Sequence, residues 1–110
     1  MESFSIGNWV DEALDQARQE SSGRSALTIH GGHDRALRET VIALVAGQGL
    51  AEHDSPGEAT LQVLRGRVRL TSGDQRWDGT AGDHVIIPPA RHSLTALEDA
   101  AVLLTVVKVP

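Results

Sequence analysis

From Ser25 onward, short runs rich in Val, Ile, Leu and Thr are interrupted about every eight to twelve residues by glycine-bearing turns. Segments this short cannot bury an apolar face as helices, and their spacing marks an all-β sandwich or barrel. Strands are expected near 25–30, 38–46, 59–65, 67–72, 75–78, 84–88, 92–97 and 101–108. One hairpin can be read in register. Gly73-Asp74 suits a two-residue turn with glycine first, as a type II′ turn prefers. That turn sets Leu70 opposite Trp77 and Arg69 opposite Asp78, and turns Trp77 toward the core.

Residues 1–23 read differently. Trp9, Val10, Ala13, Leu14 and Ala17 recur at helical spacing, with Asp11, Glu12, Asp15, Gln16 and Gln19 on the other side. Asn8 is the expected cap, with Asp11 as its partner three residues on, and Ser21-Ser22-Gly23 ends the helix. Such an amphipathic helix must lie on the barrel or on a second subunit. At 110 residues the chain fits one domain, a helical segment over 1–23 and a barrel over 24–110.

Composition removes several functions. There is no cysteine, so disulfides are excluded and any metal must be held by His, Asp or Glu. The net charge of −5 repels phosphate backbones, and Phe4, Trp9 and Trp77 are too few to stack bases, so no nucleic-acid partner is expected. No signal-peptide pattern opens the chain, and the longest apolar run, residues 41–46, is too short to span a bilayer. A soluble, cytoplasmic protein without membrane contact is the expectation. The strands at 38–46 and 101–108 are apolar on both faces, as if covered twice, and a homodimer is expected.

Two stretches carry a resemblance. Residues 47–66, GQGLAEHDSPGEATLQVLRG, are similar to the first cupin motif, with Gly47, His53 and Gly66 at matching positions. Residues 82–92, GDHVIIPPARH, resemble the second cupin motif at Gly82, Pro88 and His92, with one residue fewer than usual between proline and histidine. The resemblance implies a double-stranded β-helix, a jelly-roll barrel, with a short N-terminal α-helix ahead of it. The matched glycines then serve turns of positive φ or close backbone approach, and Pro88 and Pro89 stiffen a strand exit.

Metal-binding cupins place three histidines and a glutamate inside the barrel. The resemblance assigns His53 and His92 to two of those positions, but Ser55 and Ala59 stand at the other two. Glu58 or His33 would have to complete a divalent-metal site. Strand alternation aims Glu58 away from the side of Ala59 unless a bulge at Pro56-Gly57 shifts it. His30 and His84 lie in strands whose facing the sequence leaves open.

Ala59, Leu61 and Val63 share one strand face, as do His92, Leu94 and Ala96. A pocket of His53, Ser55, Ala59, Leu61, Val63, His92 and Leu94 would suit a small, partly apolar ligand. Two readings follow. One is a barrel that binds a small molecule without a complete metal set. The other is a metal-dependent enzyme, dioxygenase-, isomerase- or decarboxylase-like, using His53 and His92. A transcriptional regulator would need a helix-turn-helix, and one helix followed by strands does not supply it.

Overall fold

Alternating residues along a strand point to opposite faces, so a chain of alternating strands must cover two faces or leave one wet. A computed structural model, which describes residues 1–54 and 57–108, resolves this with two sheets and a helix. Helix α1 (Ile6–Gln19) comes first. Strands β1 (Arg24–His30), β2 (Leu37–Leu44), β3 (Gly49–His53), β4 (Glu58–Arg65) and β5 (Arg67–Ser72) follow. Then come β6 (Gln75–Thr80), β7 (His84–Ile86), β8 (His92–Ala96) and β9 (Ala100–Val107). One sheet has the order β1-β2-β9-β4-β7 and the other β3-β8-β5-β6. The pairings are antiparallel.

The inner faces enclose the barrel core. Ile42, Leu44, Ala59, Leu61, Val63, Val102 and Val106 come from the first sheet, and Val68, Leu70, Leu94 and Ala96 from the second. The outer faces of β2 and β9 are equally apolar, and α1 covers them. Val10, Ala13, Leu14 and Ala17 pack there with Val41, Ala43 and Ala101. The second covering that the sequence attributed to another subunit is therefore supplied, at this face, by the chain's own helix.

The helix begins earlier than expected. Ser5 caps it, its Oγ accepting from the backbone N–H of Asn8 at 3.4 Å. Ile6 extends the apolar stripe by one turn, so the helix starts ahead of Asn8 to bury it. Asp11 is no capping partner and instead accepts from Arg65 Nη1 at 2.7 Å. At the other end, Asp99 accepts from the Ala46 N–H at 2.9 Å and from Arg18 at 3.2 Å. These bonds, the backbone one first, hold its carboxyl below the usual carboxylate range.

The β5–β6 hairpin has the expected register, Leu70 with Trp77 and Arg69 with Asp78. Gly73 has φ +56°, and the described residues other than glycine have no positive φ, which fits the type II′ turn. Arg69 donates two bonds to Asp78, at 2.8 and 3.0 Å. Gly47, Gly66 and Gly82 all have positive φ. At Gly66 a Cβ would also run into the Asp99 carbonyl, so glycine is required twice over. One strand, β3, escaped the sequence reading because Gly, Ala, Glu and His give it little β character. Gly49 seats it, since any side chain there would collide with the Leu94 backbone. Among the described residues no helix is long and apolar enough to cross a membrane.

Because Leu14 is fully buried between α1 and the β2–β9 face, Leu14→Ala should cost about 2–5 kcal/mol. Denaturant unfolding reads this directly, and a loss below about 1 kcal/mol would mean that the helix is not anchored there.

Candidate functional site

Strands β3 and β8 pair so that His53 and His92 are direct partners, which puts both side chains on one face. Their ring centres lie 4.5 Å apart with planes inclined at 63°. His92 is only 4% exposed, whereas His53 is open to solvent. The shortened spacing after Pro88 does not swing His92 out of the barrel.

Each ring is held in the same way. Nδ1 of His53 lies 2.9 Å from the Ala51 carbonyl oxygen, and Nδ1 of His92 lies 2.9 Å from that of Ala90. A carbonyl oxygen can only accept, so Nδ1 must carry the proton in both rings. In the neutral imidazole this leaves Nε2 as a bare lone pair. The backbone thus fixes two acceptors side by side.

Both rings border a small chamber of about 30 Å³ whose other walls are Ile42, Leu50, Leu61, Leu70, Ile87, Leu94 and Leu104. That is room for about two water-sized groups. Of the residues expected to form the pocket, His53, Leu61, His92 and Leu94 line it. Ala59 and Val63 are buried in the surrounding core and do not, while Ser55 lies outside the described residues. Ile42, Leu50, Leu70, Ile87 and Leu104 were not anticipated. Each sits at an inward position whose tier depends on inter-strand register, which no local pattern reports. A larger open groove of about 390 Å³ lies between the β6 and β7 edges, lined by Trp77, Ile86, Pro88 and Arg76 among others. It shares the Leu70 wall but contains neither histidine.

The side chains proposed to complete a metal site do not converge. Glu58 pairs with Val107 on the exposed face, while Ala59, beside Val106, faces the core. Pro56, where a bulge was to turn Glu58 inward, lies outside the described residues, and Glu58 itself faces outward in this register. His33 is exposed in the β1–β2 connection, His84 is exposed and His30 is half-buried. Glu52 and Asp54, next to His53 in sequence, are engaged by Arg91 at 3.0 and 3.3 Å. Among the described residues no three His, Cys, Asp or Glu side chains gather into a metal-binding group. Two imidazoles, with no third His, Asp or Glu gathered beside them among the described residues, do not fit a resident divalent ion, which is commonly held by three or four protein ligands.

Restoring the missing donors should reverse this. Ser55→His with Ala59→Glu is expected to take up zinc or nickel at near one equivalent, while the parent takes up far less. Metal at one hundred times its dissociation constant would then stabilise the variant by about 2.7 kcal/mol. Stoichiometric metal in the parent, measured by elemental analysis after purification without an affinity tag, would contradict this reading of the donor set.

The comparisons with known proteins agree with the barrel. No curated protein matches the sequence. A conserved protein of unknown function from Streptococcus pyogenes is similar in structure, with TM-score 0.73 and 29% identity over 83% of this chain and 79% of that one. A cupin superfamily protein from Desulfitobacterium hafniense has TM-score 0.71 and 17% identity, covering 78% of each chain. A salicylate 1,2-dioxygenase from Pseudaminobacter salicylatoxidans has TM-score 0.76 and 19% identity over 90% of this chain, but over only 33% of its own length. The family model described as the cupin domain matches residues 40–108, from within β2 to the end of β9, and the chain belongs to the cupin family.

Proposed function

We propose that this cupin binds a small organic molecule at the histidine end of its barrel, without turnover and without a resident metal. The observation that carries the reading is the His53–His92 pair. Two imidazoles fixed by backbone carbonyls present bare Nε2 atoms beside an apolar chamber. Fixed acceptors at the edge of an apolar cavity are the arrangement that orients a small ligand. Its polar group donates a hydrogen bond to an imidazole Nε2, and its apolar part enters the chamber. The chamber admits only one or two carbons, so most of a larger ligand would remain in the mouth. This is a narrower site than the sequence implied.

The family contains enzymes, but one fold hosts many chemistries and the site must decide. The donor set described above supports binding over metal-assisted catalysis.

A fragment screen followed by protein NMR tests the reading. Hits should perturb His53, His92, Leu61 and Leu94 together, and His92→Phe, which fills the site without charge, should remove at least ten-fold of their affinity. Hits that bind only with added metal, or only at surfaces remote from both histidines, would overturn it.

A further inference from the structure

The edge strands are β1 and β7 in the first sheet and β3 and β6 in the second. An open edge presents unpaired N–H and C=O groups, and proteins blunt such edges with bulges, prolines or very short strands. The ladders of β1 and β3 are each broken by a register shift, and β7 is three residues long with Pro88 and Pro89 close behind it. Strand β6 has none of these devices. Its register with β5 is unbroken from Gln75 to Thr80, and no strand pairs with its other side among the described residues.

The hairpin decides which groups face that free side. In a two-residue hairpin the pair beside the turn, here Ser72 with Gln75, exchanges both backbone bonds, and bonded and non-bonded pairs alternate from there. Gln75, Trp77 and Gly79 therefore direct their backbone groups to β5, while Arg76, Asp78 and Thr80 direct theirs outward. Thr80 is already satisfied, its N–H donating to the Asp83 carboxylate and its carbonyl accepting from the Asp83 N–H, both at 2.9 Å. The open stretch is Arg76 and Asp78, one on each side of Trp77.

The side chains around this stretch also lack a neighbour. Arg76 is exposed, with no ion pair among the described residues. On the inner side the Trp77 indole lies against Gly79 and lines the open groove of about 390 Å³. Ile86, 73% exposed, lines the same groove.

The geometry points to a second copy of this chain as the missing neighbour, with β6 pairing antiparallel to β6 of the partner about a two-fold axis at Trp77. Arg76 then meets the partner's Asp78 and Asp78 meets the partner's Arg76, and each pair exchanges two backbone hydrogen bonds. Opposite charges face each other on the outer side, and Trp77 faces the partner's Trp77 on the inner side, both favourable cross-strand pairs. Moving the partner by two residues either way would oppose Arg76 to the partner's Arg76 or Asp78 to the partner's Asp78, so charge selects the register. The Asp78 carboxylate keeps lone pairs beyond its two bonds to Arg69 and can accept from a second guanidinium. Helix α1 removed the argument for a dimer at β2 and β9, and the β6 edge supplies a different one. So short a contact makes a weak, concentration-dependent dimer.

Sedimentation of the full chain from micromolar to millimolar concentration, with amide exchange followed by NMR, tests this. A monomer–dimer equilibrium is expected, with the Arg76 and Asp78 N–H groups gaining protection as concentration rises. Arg76→Asp and Asp78→Arg each oppose like charges and should weaken the dimer by about ten-fold or more, whereas an equal mixture of the two restores both opposite pairs and should recover it. Arg76→Pro removes an N–H of the free edge and no bond to β5, so it should melt near the parent and remain monomeric. This variant decides the matter even if Asp78→Arg, which also loses the bonds to Arg69, folds poorly. A monomer at millimolar concentration, a dimer that leaves the Arg76 and Asp78 amides unprotected, or one indifferent to Arg76→Asp and Arg76→Pro would each overturn the proposal.

Discussion

Strands β2 and β9 are apolar on both faces, and the rest of the molecule is arranged to satisfy them. Their inward residues, Ile42, Leu44, Val102 and Val106, join the core between the sheets. Their outward residues, Val41, Ala43 and Ala101, would be wet if the barrel stood alone. Helix α1 exists to cover them, which is why its apolar stripe reaches back to Ile6 and its cap is Ser5. A one-residue slip of β2 would exchange the two sets, moving the helix seat inward and Ile42 and Leu44 outward. The same register that anchors the helix therefore sets two walls of the chamber, Ile42 and Leu104.

The chemistry at the histidines depends on the backbone more than on the side chains alone. Imidazole is an ambiguous group until something fixes its proton. Here the Ala51 and Ala90 carbonyls fix it in both rings, so both Nε2 atoms accept. In a metal cupin the same orientation would serve ligation, with other donors closing the shell. This chain keeps the orientation and replaces the glutamate position with Ala59, whose methyl joins the core. What remains is a pair of acceptors over an apolar chamber.

Much of this was legible in the sequence because local rules suffice for it. Turn chemistry at Gly73-Asp74 placed the β5–β6 register to the residue, and alternation placed Glu58 away from Ala59. The two cupin motifs located His53 and His92. The missed features all depend on contacts between distant segments. Strand β3 has little intrinsic β character and is seated by the bare backbone of Gly49 against Leu94. The chamber walls Leu50, Ile87 and Leu104 come from three separate strands and connections, and only the assembled register shows that they meet.

The central claim is that the backbone holds both imidazoles with Nδ1 protonated and Nε2 bare. A long-range proton–nitrogen NMR spectrum of the two histidines at neutral pH reads the tautomer of each ring without any ligand. The account predicts the Nδ1–H form for His53 and His92 alike. Either ring found with its proton on Nε2 would remove the acceptor from the mouth and contradict it.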